Sequence, residues 1–270
     1  LNYRFIGDDE RLRAPLVAGE GGAAETAWDT ALEHAATLLG DFRKRHGGKA
    51  FGALVSPHLT NEENFRFGQM LTAFGAGRVA MTVRKGKADH LLMKAEKAAN
   101  ARGVRQLGLV EGPGDGLEEL LRAVEAGEIK GLYICGDDIV DTVASGRLGA
   151  ILGRLELLIT QDLQARPEFA RAAVVFPATT WAEKDGTFTN HDGRVQRIQR
   201  ALETPPGWHS DGEIFTALFN RLESKNERFD PAAIWQVLGG ERSPFAGIEY
   251  DQIGALGALP MRAGEGTSGS

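Results

Sequence analysis

Short apolar runs alternate along the chain with longer stretches of helical periodicity. Phe51 to Val55, Arg78 to Val83, Gln106 to Val110, Gly131 to Cys135, Leu155 to Thr160 and Ala173 to Phe176 are each about strand length, and most close on a polar, Gly or Pro signal. Ser56-Pro57 stops the first of them, Gly136-Asp137-Asp138 the fourth, Gln161-Asp162 the fifth and Pro177 the last. Apolar runs of this kind, with no polar face, predict strands buried on both sides in a parallel sheet. Between them, Trp28, Ala31, Leu32, Ala35, Leu38 and Leu39 recur at helical spacing within Trp28 to Phe42. Thr60 with Glu63 forms a capping box that opens a helix over Asn61 to Phe74, closed by Gly75-Ala76-Gly77. Further helices are predicted over Leu117 to Glu125 and over Asp211 to Glu223, the latter capped by Ser210 or Asp211. Strands and helices alternating at these lengths predict an α/β fold, a doubly wound and mostly parallel sheet with right-handed crossovers.

The same pattern suggests four parts. Residues 1–24 read as an N-terminal arm, 25–105 as a first α/β lobe and 106–238 as a second. Residues 239–270 read as a surface-following tail, disordered from Gly264 to Ser270. Trp181 to Gln196 reads as a shaped loop, with Gly186 and Gly193 allowing tight turns and Asn190, Arg194 and Gln196 bracing it.

Composition narrows the function classes. With 42% hydrophobic and 25% charged residues, the chain is an ordinary soluble type with enough length for substantial cores. A net charge of −6 gives no electrostatic footing for nucleic acid. No apolar run approaches the roughly 20 residues that span a bilayer, so a membrane link is expected only through partners. The single cysteine, Cys135, excludes an internal disulfide and a cluster held by this chain's own thiolates. Inside an apolar strand it reads as a small core residue. The six histidines form no HxH or HExxH spacing, and no GxGxxG or GxxxxGK[ST] occurs. A zinc site and a nicotinamide or ATP site are therefore not expected.

The stretch Leu155 to Gln199 carries a more specific signal. It contains Gln161-Asp162 at a strand end, then Val175-Phe176-Pro177-Ala178, then Glu183, Gly186, Thr187, Asn190, Gly193, Arg194 and Gln196. This order resembles the molybdopterin oxidoreductase superfamily and, within it, the C-terminal part of the G subunits of bacterial NADH-quinone oxidoreductase (respiratory complex I). Two further strings fit the resemblance, DERLRAPLV from Asp9 to Val17 and Trp28, Asp29, Ala31, Leu32 on the first helix. It implies Rossmann-like lobes, with an iron–sulfur domain before them and a barrel-like domain after them that this sequence does not include. The start at Leu1 reads as that of a fragment.

The resemblance also implies where a cofactor would lie. Gly136, Asp137, Gln161 and Asp162 end two predicted strands, at turns whose family equivalents approach the guanosine and pterin of a molybdopterin dinucleotide. Asp162 would accept hydrogen bonds from a guanine edge. A bland reading stands beside this one, in which both turns are polar strand ends closing a packed sheet. Relatives commonly place Cys, selenocysteine or Ser on the metal in the region matching Ala80 to Met93, where this chain offers only Thr82, Asp89 and His90. Glu183, Lys184, Asp185 and Asp192 form a charged grouping whose carboxylates could serve acid–base work or simply brace the loop. The expectation is a docking portion of a complex I G-type subunit, without redox catalysis, metal or cofactor of its own. Iron–sulfur clusters would sit in the missing N-terminal part or in partner subunits. The chain would be cytoplasmic, held to the inner membrane through the other subunits of a respiratory complex. The alternative is a formate-dehydrogenase-like fragment that binds a molybdopterin guanine dinucleotide. A third reading is a guanine-nucleotide-binding remnant.

Overall fold

The computed structural model describes residues 4–7, 10–89, 91, 93–110, 115–136, 138–240 and 243–260. Its centre is a seven-stranded sheet. In chain order the elements are β1 (Leu16–Gly19), β2 (Gly22–Glu25), α1 (Trp28–His46), β3 (Phe51–Val55), α2 (Asn61–Phe74), β4 (Arg78–Met81), α3 (Ala101–Gln106), α4 (Leu117–Glu125) and β5 (Gly131–Cys135). There follow α5 (Asp138–Thr142), α6 (Ser145–Leu152), β6 (Leu157–Asp162), β7 (Val174–Pro177), β8 (Gly186–Thr189), β9 (Val195–Ile198), α7 (Asp211–Glu223) and α8 (Pro231–Leu238). The sheet order is β2-β1-β7-β6-β5-β3-β4, with β3 through β7 parallel and β1 antiparallel to both β7 and β2. Residues expected as an arm thus supply an edge hairpin. Strands from 25–105 and from 106–238 pair in this one sheet, β3 lying directly against β5.

Each central strand is buried on both sides, which is why its sequence reads as an unbroken apolar run. Phe51, Ala53, Val55, Tyr133, Cys135, Ile159, Val174 and Phe176 face one way, into a core shared with α1, α2 and α7. Leu54, Leu132, Ile134, Leu158 and Val175 face the other way, onto α4 and α6. The fold is therefore doubly wound, as the alternation of elements predicts. A third, smaller cluster joins Ile234, Trp235 and Leu238 of α8 to Phe245, Ile248, Tyr250, Ile253 and Val195.

Three expectations are corrected. Gln106 to Val110 is not a strand, because α3 runs through Gln106 and the chain then turns at Gly108 with φ +70°. Its apolar residues are used elsewhere: Leu107 packs on the third cluster, and Leu109 fills the space where a side chain at Gly68 would stand. Residues 239–260 are not merely surface-following, since Trp235 Nε1 donates to the Ile248 carbonyl at 2.8 Å and Phe245 is fully buried. Trp181 to Gln196 is more ordered than a loop, with β8 and β9 forming an antiparallel ribbon. His90 and the disordered end expected from Gly264 lie outside the described residues.

Candidate functional site

From β3 the chain moves outward to β4, then returns to lay β5 on β3's other edge. That reversal leaves a crevice at the carboxyl ends of β3 and β5, the place where open α/β sheets bind ligands. The cleft there has a volume of about 500 Å³. Ser56 and His58 follow β3, Gly136 follows β5, Gln161 and Asp162 end β6, and Thr179 and Thr180 follow β7. Lys184 and Asp211 contribute from the ribbon connection and the first turn of α7.

Of the residues read from the sequence as cofactor-binding, Gly136, Gln161 and Asp162 all line this cleft, and Asp137 lies outside the described residues. They do different things. Gly136 has φ +75°, a conformation that costs a side-chain-bearing residue energy, and its N–H donates to the Gln161 carbonyl at 2.8 Å. It thereby ties the β5 turn to the end of β6. Asp162 Oδ1 accepts from the Leu163 N–H at 2.6 Å, and Arg166 Nε lies 3.7 Å from Oδ2. Gln161 spends its amide inward, accepting from Tyr133 Oη at 2.7 Å and donating to Asp211 Oδ1 at 2.6 Å. It braces the wall of the cleft.

Behind that wall lies a buried ionic group whose members read in the sequence as two helix-end acids and one loop lysine. Lys184 Nζ is 2.7 Å from Asp211 Oδ2 and 3.0 Å from Glu63 Oε2. Burial works against the Lys184 charge, but Asp211 and Glu63 outweigh it and hold the ammonium above its ordinary pKa. Glu63 also closes the capping box on Thr60, as expected. Its neighbour Glu62 is fully buried and accepts from the N–H and the hydroxyl of Thr187, both at 2.9 Å. Burial pushes the Glu62 carboxyl up to about 7, against the pull of those bonds.

The acidic grouping of the ribbon does not act as a carboxylate pair. Glu183 is held by Arg11 in two parallel bonds of 2.8 Å, and Arg11 also lies 4.5 Å from the ring centre of Trp208. Burial opposes its charge, yet Arg11 and Thr180 keep its carboxyl below the usual range. Asp185 accepts from the Arg200 N–H, and Asp192 donates its own N–H to Asn190 Oδ1. Asn190 braces its turn as expected, accepting from Asp192 and Arg194. The Asp89 carboxylate is turned onto the N–H groups of Leu91 and Met93, while Thr82 is buried. Among the described residues no group of three or more His, Cys, Asp or Glu side chains is arranged to hold a metal ion.

At the cleft rim, His58 Nε2 and Asp138 Oδ2 lie 3.0 Å apart, and Arg84 Nε reaches Asp138 Oδ1 at 2.7 Å. These residues, with Thr179, escape sequence reasoning because in linear order they form no motif that carries chemistry. Only their position after sheet strands could have singled them out.

Residues 81–221, just over half of the chain, match the family model for molybdopterin oxidoreductase. The chain belongs to the molybdopterin oxidoreductase family. It is 39% identical over 152 residues to the NADPH-Fe(3+) oxidoreductase subunit alpha of Geobacter sulfurreducens, a match covering 56% of this chain and 18% of that protein. It is 35% identical over 137 residues to a putative formate dehydrogenase of Bacillus subtilis, covering 50% of this chain and 14% of the relative. The chain thus spans under a fifth of the length of these relatives. Acetylene hydratase from Pelobacter acetylenicus shares the fold, with a TM-score of 0.59 over 95% of this chain and 68% of the other, at 10% identity.

The residues of the cleft offer polar groups of the kind a nucleotide needs. Asp162 offers carboxylate oxygens at one wall. Thr179 Oγ1 is buried on the same cleft and has no protein partner. Burying a hydroxyl without a hydrogen bond is costly, so a polar ligand group there would recover it. The volume also falls within the usual range of small-molecule sites, roughly 300–1,000 Å³.

Proposed function

We propose that this chain is the nucleotide-holding module of a molybdopterin-dependent oxidoreductase of the formate-dehydrogenase-like kind. The supporting observation is the cleft at the strand-order reversal, which brings Gly136, Asp162 and the unsatisfied Thr179 hydroxyl to one place. When bound, a molybdopterin guanine dinucleotide would supply the redox chemistry. Asp162 would accept from the N–H groups of the guanine edge, as a carboxylate can where two donors lie side by side. Thr179 would bond a polar group deeper in the cleft, and His58, poised by Asp138, would bound its mouth. The Geobacter relative is named an oxidoreductase and the Bacillus relative a putative formate dehydrogenase, which supports the reaction class.

The test is retention of cofactor. Freshly purified protein would show oxidised-pterin fluorescence and near-stoichiometric molybdenum or tungsten, or would bind GDP when stripped. Protein with neither pterin nor affinity for GDP would sink this reading.

A second reading, the docking portion of a complex I G-type subunit, draws on a different observation. Leu91 is 83% exposed and Met93 50% exposed on the excursion after β4, and Leu256 is 84% exposed near the C-terminal cluster. Such side chains suit contact with partner subunits of a respiratory complex. That arrangement would hold the chain at the cytoplasmic face of the membrane through those partners. No helix among the described residues is long and apolar enough to cross a membrane. Co-purification with other respiratory subunits, in the absence of pterin, would favour this reading over the first.

A further inference from the structure

Three segments distant in sequence meet in the buried group behind the cleft. Lys184 comes from the connection into β8, Glu63 from the first turn of α2, and Asp211 from the first turn of α7. With all three ionised the group carries one positive and two negative charges. Around it stand further acidic or neutral groups, while His58, Arg84 and Arg166 line the outer part of the cleft. Glu62 is next to Glu63 on α2, Tyr133 and Cys135 face it from β5, and Asp162 from β6. Lys184 and Asp211 themselves line the cleft.

Glu63 is the member poised to change state. Burial raises its carboxyl first of all, Lys184 opposes that, and Asp211 adds to it. One of its oxygens, Oε2, serves Lys184 and the Thr60 N–H, while Oε1 is buried without a protein partner. An added proton therefore has an oxygen to occupy without breaking a bond already made.

We propose that a nucleoside diphosphate entering this cleft is accompanied by the uptake of one proton from solvent onto Glu63. The inference rests on the reading of the cleft as a nucleotide site. The physical reason is charge. An anion brought against a group of net −1 in a poorly solvated wall meets repulsion that water cannot screen. Protonating Glu63 leaves a neutral Lys184–Asp211 pair, which removes the excess. Only an O–H bond forms, and no electron moves. By linkage, affinity for the diphosphate then falls roughly tenfold for each pH unit on the alkaline side of the transition.

The experiment is calorimetric titration of the protein, stripped of any bound pterin, with GDP between pH 6 and 8.5, in buffers of different ionisation enthalpy. The expected result is a buffer-dependent heat corresponding to uptake that approaches one proton per GDP. Glu63→Gln keeps the capping acceptor but cannot take the proton, so its uptake falls to zero while GDP still binds. Asp211→Asn reaches the same end by another route, since it removes the excess negative charge, and its uptake at saturation also falls to zero. Binding whose heat is the same in every buffer overturns the inference and leaves the nucleotide reading intact. Unchanged uptake in Glu63→Gln overturns the assignment to Glu63. Absence of any GDP binding overturns the nucleotide reading and this inference with it.

Discussion

Glu62→Gln is expected to stabilise the protein at alkaline pH although it alters a fully buried, hydrogen-bonded side chain. Glu62 sits at the start of α2 under the β8–β9 ribbon, accepting from both donors of Thr187. Burial raises its carboxyl from 4.5 to about 7, and the charge on adjacent Glu63 adds a smaller push. At a little under 1.4 kcal/mol for each tenfold change in acidity, this corresponds to about 3 kcal/mol. The folded state binds more protons at this site than the unfolded chain from about pH 4.5 to 7. Stability from the site is therefore complete below the lower value, declines as pH rises through the window, and is lost above about 7. Gln has the same shape, accepts the Thr187 N–H with its carbonyl and can donate to the Thr187 hydroxyl, so it keeps both bonds without the charge. Urea unfolding of the two proteins should give stabilities within about 1 kcal/mol of one another at pH 5. At pH 8 the Gln variant should be the more stable by about 3 kcal/mol. A variant equal to or weaker than its parent at pH 8 would refute the argument that desolvation dominates at Glu62.

Removing one partner of the Arg11–Glu183 pair by Arg11→Met leaves a buried carboxylate without its cation, and should cost about 3 kcal/mol in a denaturant melt. Gly131→Ala places a Cβ 2.6 Å from the Phe51 ring and 2.9 Å from that of Phe42, so a loss of about 1–3 kcal/mol from overpacking is expected by the same assay. Asp162→Ala should weaken GDP binding by about tenfold, corresponding to one lost charge-assisted contact, with little change in thermal midpoint.

The site was partly legible before the fold was known. Gly136, Gln161 and Asp162 mark themselves as the Gly and polar residues that end two apolar strand runs, and all three line the cleft. Their roles were not legible. Gln161 reads as a ligand for a cofactor but is consumed by Tyr133 and Asp211. Lys184 reads as one more surface charge in an acidic loop, and Asp211 and Glu63 as helix caps. Nothing in linear spacing shows that these three meet, since Lys184 stands 121 residues from Glu63 and 27 from Asp211 along the chain.

The sequence by itself determined what depends on neighbours a few residues apart. The α2 capping box, the bounds of β3 and β5, and the alternation that makes a doubly wound sheet are all local choices of period and cap. Gln106 to Val110 shows the limit of such signals, because an apolar run cannot announce whether it pairs in a sheet or covers a helix. Tertiary structure alone decided the strand order, and with it the place where the connections leaving β3 and β5 diverge to open a cleft. It alone also set the burial of Glu62, Glu63 and Lys184. Desolvation acts through the surroundings that distant segments build, so charges ordinary in the unfolded chain become coupled and perturbed only once the fold closes over them.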